Sequence, residues 1–400
     1  MEAEYRHLTA DDIEQAVHLE STAFYNEPTP ERVERFRAVL PPEWTLGAFI
    51  DGRIVADVRT IPAARRINGG ALLHGCVGPV VCRAEYRRRG FVGRLLRLAL
   101  EDMRGNAIAT AGLHTPHDAL YRRYGWERAE GKRRYSFEAK DVQLRFHGHR
   151  GALEIVGPDD WARLDDVYRR YARPRNGPLH RVEPWWRFAV LMDFEERPRD
   201  ALIWHDPDGQ PQGFIVHGSQ SAGEPMRHEL VVRDMVALTP DAYLGLWQYL
   251  AAHDIAVRIY AHAPPDDPLP DLVHDPSRIQ VERWEGAMVR IVDVERALSQ
   301  RPYAGRRPVS FAMRIEDGAA PWNEGVWRVE AAEGRMEARQ TADQPDVELS
   351  VNFLAPLLTG FVRADTAAAT GMLRVRNPDA LADVVEAFAV TYPPYCNDFY

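Results

Sequence analysis

Lysine is almost missing from this chain. Of its 50 basic residues only Lys132 and Lys140 are lysine, and the rest are arginine. Paired arginines recur at 65–66, 133–134, 169–170 and 306–307, so an arginine run carries meaning only through its position. Cysteine is also scarce: Cys76, Cys82 and Cys396 have no Cys-x-x-Cys spacing. That excludes a disulfide framework and a cysteine-based zinc site, and it predicts a reducing, cytoplasmic setting. No stretch reaches the roughly 18 apolar residues that a membrane-spanning helix requires. The start, Met-Glu-Ala-Glu-Tyr-Arg-His, is acidic and has no apolar core, so no signal peptide is expected. A net charge of −9 argues against nucleic acid as the main partner and suits a cationic small molecule better. His147-Gly-His149 has no third ligand nearby, so no metal is expected.

What is present begins with residues 77–100. Val77, Val80 and Val81 form a β-favouring run. Helical spacing then starts at Phe91, with Val92, Leu95, Leu96, Ala99, Leu100 and Met103 on one face. Between strand and helix lies Arg87-Arg88-Arg89-Gly90. A glycine allows close backbone approach, and the first amides of a helix have no internal partners. With the helix dipole and the arginines, these amides make a cradle for a pyrophosphate. An acyl-CoA enzyme needs such a cradle at the end of a strand. Val80, Val81 and Cys82 would present backbone groups to the pantetheine arm, like an added strand. Arg87, Arg88, Arg89, Gly90 and Phe91 would hold the phosphates.

At 400 residues the chain is expected to hold two or three domains. Thr9 opens a helix, and Pro30–Val39 is a second. Residues 44–50 and 53–61 read as strands joined by the hairpin turn Asp51-Gly52. Asn68-Gly-Gly70 turns the chain into the strand carrying Val80. A strand over 107–114, a short helical segment before Tyr121 and a strand over 134–138 complete a β-α-α-β-β-β-α-β-α-β block. Residues 201–205, 213–217, 229–232 and 256–260 read as strands and 241–253 as a helix, a similar block without the arginine loop. Then come Ser310–Asp317, Pro321–Trp327, Pro345–Ser350 and Leu354–Gly360: alternating strands, a turn and a helix.

The first block resembles the GNAT N-acetyltransferase fold, whose pyrophosphate motif Arg87–Val92 matches except that Val92 stands where a small residue is expected and Gly93 follows it. The last block is similar to a sterol-carrier-protein domain. With Leu120–Trp126, His262–Asp271 and the Phe399-Tyr400 terminus, the chain resembles the enhanced-intracellular-survival (Eis) acetyltransferases over nearly its whole length. The resemblance implies an α/β (α+β) chain. A catalytic GNAT domain would span 1–142 and a degenerate second one 143–292. A sterol-carrier-like domain over 293–400 would supply the C-terminal carboxylate. It also implies acetyl-CoA as cosubstrate, an amine acceptor such as a polyamine or aminoglycoside, no metal and a hexamer.

Acetyl transfer to an amine requires a base for the amine, stabilisation of an oxyanion and an acid for the leaving thiolate. By the resemblance, Tyr121 is the acid and the Tyr400 carboxylate the base. A free α-carboxyl is ionised at neutral pH and also attracts a cationic amine. His114, at the end of its strand, is the alternative base. Phe24, Tyr25 and Glu27 follow the first helix, where an aromatic wall with an acid would suit an amine. Each has a plainer reading: Tyr121 as a core ring, His114 as a structural histidine, and Phe24 and Tyr25 as an apolar linker. A protein lysine or N-terminal acetyltransferase and a lipid carrier are the competing functions.

Overall fold

Three β-sheets organise the chain. The computed structural model describes residues 3–39, 41–146, 150–193, 197–223 and 227–400, so His147 and His149 lie outside the described residues. The first sheet contains β1 (Glu4–His7), β2 (Thr45–Ile50), β3 (Arg53–Ile67), β4 (Gly70–Cys82), β5 (Thr110–Leu113) and β6 (Glu127–Arg128). The second contains β7 (Gly131–Phe137), β8 (Ala152–Val156), β9 (Asp200–His205), β10 (Pro211–Ser221), β11 (His228–Ala237), β12 (Arg258–Ala263) and β13 (Gln280–Glu285). A later strand, β14 (Met288–Ile291), returns to the first sheet, where it pairs with both β5 and β6. The third sheet holds β15 (Val309–Glu316), β16 (Gly325–Ala332), β17 (Arg335–Thr341), β18 (Val347–Ser350) and β19 (Arg374–Val375), in the order β17-β16-β15-β18-β19.

Both faces of the first sheet are covered, which is why β2 is buried at all six positions. Helix α1 (Ile13–Ala23) packs Ala16 and Leu19 on Phe49, Ile54 and Val81. Helix α2 (Pro30–Val39) follows it. On the opposite face α3 (Phe91–Gly105) buries Leu95, Leu96, Ala99, Leu100 and Met103 against Ala48, Val58 and Val77. These are the positions that its 3.6-residue period selects. A short helix α4 (Asp118–Arg122) carries Tyr121. In the second sheet, α5 (Trp161–Ala172) and the helix Pro240–Ala251 cover opposite faces.

One expectation is corrected. The strand read at 134–138 belongs to the second sheet: β7 pairs with β12 and β13. The first sheet is completed instead by β14, from the end of the middle segment. The segments 1–142 and 143–292 therefore exchange strands, and neither contains a whole sheet. Periodicity reveals that a strand exists but not which sheet takes it, because any strand edge can pair with any other. Buried charge fixes the strands at these junctions. Arg65 on β3 is ion-paired with Glu130, between β6 and β7, and Arg290 on β14 forks onto Asp317 at 2.7 Å to both oxygens. The end of β3 also bonds the segment 178–180: His180 N–H donates to Ala64 O at 2.7 Å and Arg66 N–H to Pro178 O at 2.8 Å.

After residue 387 the chain has no regular secondary structure and turns back between the first two sheets. Arg301 donates to the carbonyls of Ala387 and Ala389 at 2.8 and 2.9 Å. The Asn176 side chain donates to Tyr392 O at 2.9 Å, and Tyr395 N–H donates to Asn176 O at 2.9 Å. At Gly177, whose φ is +107°, a Cβ would collide with the Tyr395 backbone.

A fragment ending at residue 142 lacks β14 and leaves β7 without its sheet. It is expected to show no cooperative thermal transition by circular dichroism, whereas the full chain melts cooperatively.

Candidate active site

The parallel strands β4 and β5 pair at only three positions: His74↔Thr110, Gly75↔Ala111 and Cys76↔Gly112. Beyond Cys76, residues Val77–Cys82 stay paired to β3 alone. The β3–β4 register shifts between Val58 and Thr60, which puts an extra residue into β4 around Gly78–Pro79. A gap therefore opens between β4 and β5, lined on one side by backbone groups of β4 that have no strand partner.

Tyr400 occupies the closed end of this gap. A Cβ on Gly78 would stand 2.9 Å from the Tyr400 carboxyl carbon, so the last carboxyl lies on the backbone of β4. Only glycine permits that approach. The Tyr400 hydroxyl reaches inward over Gly112 and lies 3.4 Å from His74 Nε2, while His74 Nδ1 is 2.9 Å from Thr110 Oγ1. Burial pushes this tyrosine hydroxyl well above its ordinary pKa and keeps it neutral.

His114 also meets the tail. Its Nε2 donates to Asp398 O at 3.0 Å, and its ring lies 4.8 Å from Phe399 and 5.2 Å from Tyr400. A nitrogen that donates to a carbonyl cannot at the same time accept a proton. Burial, with Lys132 nearby, lowers its pKa to about 3. His114 is thus a neutral clamp on the tail, which supports the plainer reading of this residue.

Asp398 is the anchor that sequence inspection cannot orient. Only 1% exposed, it accepts from Arg181 Nε and from Trp185 Nε1, both at 2.9 Å. Arg181, also 1% exposed, donates to Asp234 at 2.5 Å, and its guanidinium lies 3.9 Å from the Tyr168 ring centroid. Arg233 approaches Asp398 at 4.0 Å. Two cations therefore face two carboxylates, which is what makes so deep a charge cluster tolerable. None of Arg181, Trp185, Arg233 and Asp234 carries a local motif, and in an arginine-rich chain no single arginine stands out.

Tyr121 stands on α4, the short helix that follows β5. It is buried in the core beneath α3, its ring 6.3 Å from Trp126, and burial raises its pKa to about 12, opposed by a hydrogen bond with the Thr115 hydroxyl. Tyr124 packs its hydroxyl on Gly93, where a Cβ would collide. The small residue expected at 92 is therefore needed at 93 in this chain.

Gly90 precedes α3 with φ +88° and open space where a Cβ would be. No side chain caps the helix, so its first amides are free to bind an anion. Arg87, Arg88 and Arg89 are exposed; Arg87 donates to Cys82 O at 3.2 Å and Arg89 lies over Tyr86. Beside the cradle is a cavity of about 900 Å³ between α1 and the end of β4, lined by Asp11, Glu14, Glu85, Arg87, Cys82 and Tyr25 among others. Of the predicted acceptor residues, Tyr25 lines this cavity but is 96% exposed, whereas Phe24 and Glu27 lie on the surface outside its lining. They form a rim and not an enclosing aromatic wall, because the turn after α1 projects outward with Tyr25 at φ +58°.

Family models described as an acetyltransferase (GNAT) domain match residues 4–129 and, through a second such model, 177–291; a sterol carrier protein domain matches 294–397. An uncharacterized N-acetyltransferase of Streptomyces avermitilis is 28% identical, over 88% of this chain and 85% of its own. The N-acetyltransferase Eis of Mycobacterium tuberculosis is 24% identical over 96% of both chains. Among solved structures, a GCN5-related N-acetyltransferase from Anabaena variabilis superposes with a TM-score of 0.89 at 20% identity over the whole of both chains. Eis1 from Mycobacterium abscessus gives 0.82 at 23% identity, over 99% of this chain and 100% of its own.

Asp398→Ala leaves Arg181 buried with one carboxylate, and it is expected to cost about 3–5 kcal/mol, read as a lower melting temperature. His114 and His74 have folded pKa values below their unfolded ones, so the unfolded chain binds their protons first as pH falls. Stability from them is complete above about pH 6.5 and declines toward pH 3. His114→Gln, which can still donate to Asp398 O, is expected to flatten the melting-temperature profile between pH 6.5 and 4.5.

Proposed function

Because the chain is an N-acetyltransferase of Eis-like architecture, with two GNAT domains followed by a sterol carrier protein domain, we propose that it transfers acetyl from acetyl-CoA to amines of a small polyamine or aminoglycoside-like acceptor. The observation that carries this reading is the Tyr400 carboxyl resting on Gly78, within the gap between β4 and β5 and one strand-end away from the cradle. The free amides at the start of α3 hold the pyrophosphate, and the unpaired edge of Val80–Cys82 holds the pantetheine arm. The thioester then lies along β4 toward the terminal carboxylate.

The carboxylate attracts the cationic amine and takes its proton, directly or through water. The amine nitrogen attacks the thioester carbonyl, the C–S bond breaks, and the CoA thiolate leaves. Tyr121, protonated throughout the physiological range with a pKa of about 12, supplies a proton to that thiolate. Asp11 and Glu14 on the α1 side of the adjoining cavity, facing Glu85 already paired with Arg83, favour a cationic acceptor. A cavity of about 900 Å³ has room for such a molecule to be acetylated at more than one amine.

A panel of polyamines and aminoglycosides, incubated with acetyl-CoA and read by free-thiol release and by mass-spectrometric counting of acetyl groups, tests the reading. Transfer to at least one multiply charged amine is expected; transfer to peptide lysines alone contradicts it. Adding one residue after Tyr400 moves the carboxylate off Gly78 and is expected to lower kcat by about 100-fold, and Tyr121→Phe by a similar factor, within the range usual for general acid–base groups.

A further inference from the structure

The gap between β4 and β5 has a counterpart in the second sheet. There β11 and β12 are the parallel pair, and they pair from Glu229↔Arg258 to Val232↔Ala261 and no further. Directly after Val232 the β10–β11 register shifts, leaving Arg233 as an extra residue in β11. The first sheet has the same sequence of events: last parallel pair at Cys76, then an extra residue at Gly78–Pro79. Both central strands thus bulge where their parallel neighbour leaves them.

The second gap is filled by the chain's own tail. Arg233 donates to Asn397 O at 2.6 Å, and the Asn397 side chain donates back to Arg233 O at 2.6 Å. Across the gap the Tyr395 hydroxyl donates to His262 O at 3.4 Å, one residue past the last β12 pair. Asp234, the next residue of β11, holds Arg181, which holds Asp398. The anion cradle is gone as well. The helix after β11 starts with Pro240, and its Ala242 amide is already bonded to the Thr239 hydroxyl at 3.2 Å.

We propose that the second domain's gap is a docking groove for residues 395–398 of the same chain, and that Arg233 and Asn397 are positioning residues for the Tyr400 carboxylate. This rests on the role proposed above for that carboxylate. Tyr400 is three residue steps from Asn397, a reach of about 10 Å, so fixing Asn397 at the bulge of one sheet confines the carboxyl to the bulge of the other. A misplacement of about 1 Å is enough to cost about 100-fold in rate. The groove that would admit a second acetyl-CoA is closed by the same contacts, so each chain binds one.

The test is a double-mutant cycle in the full-length protein. Asn397→Ala, which keeps the other bonds of Arg233, is combined with deletion of Tyr400; Arg233→Met serves as a second probe of the same contact. Asn397→Ala is expected to lower kcat by about 10-fold or more while the KM for acetyl-CoA stays within about 2-fold. In the chain lacking Tyr400 it is expected to add no further loss. Wild-type kcat in both single variants, or losses that multiply in the combined variant, would overturn the positioning role. Calorimetric titration with acetyl-CoA is expected to give one site per chain, and two sites would overturn the occupied groove. Full activity after deleting Tyr400 alone contradicts the carboxylate's role itself, and is thereby told apart from failure of the docking.

Discussion

The ion pair between Asp398 and Arg181 is the contact on which the position of the tail depends. It joins the tail segment to the second domain, with both groups only 1% exposed. Buried charges repay their desolvation only when geometry and partners are complete. Here Asp234, Arg233, Trp185 and Tyr168 complete them. Two residues further on, the main-chain carbon of Tyr400 lies against Gly78 of the first sheet. A group with no rotamer of its own is thus placed by a network that belongs to a different sheet.

That dependence accounts for a second domain without a cradle. Its retained features, the parallel pair that separates and the bulge beside it, hold peptide in place of a cosubstrate. The exchange of β7 and β14 serves the same end. With each sheet completed by a strand from the other's segment, the two gaps cannot shift relative to each other without breaking sheet pairing. The third domain supplies the path by which the tail arrives, with Arg301 gripping the carbonyls where its last helix ends.

Much of this was legible in the sequence, for reasons that differ by element. The 3.6-residue period of Leu95, Leu96, Ala99 and Leu100 identifies α3 because burial of one helix face is a local pattern. Gly90 marks the cradle because only a glycine takes the left-handed turn there without strain. The Eis-like order of domains was recognisable from motifs spread along the chain. The exchanged strands were not, since β7 and β14 look alike to any edge. Nor was the Asp398 cluster, whose members lie more than 200 residues apart along the chain at its widest and are brought together only by tertiary folding. The contact of His114 with the tail was not legible either, because its sequence position beside the site is the same whether it accepts a proton or clamps the tail. Nor does composition show which way the turn carrying Phe24 and Tyr25 projects.

The most direct test of the account replaces the terminal carboxylate of Tyr400 with a carboxamide by semisynthesis, which keeps the shape of the tail and removes only its charge and basicity. The account predicts that kcat for acetyl transfer to a polyamine falls by about 100-fold while acetyl-CoA binds as before. An amidated enzyme that turns over at the wild-type rate would contradict it.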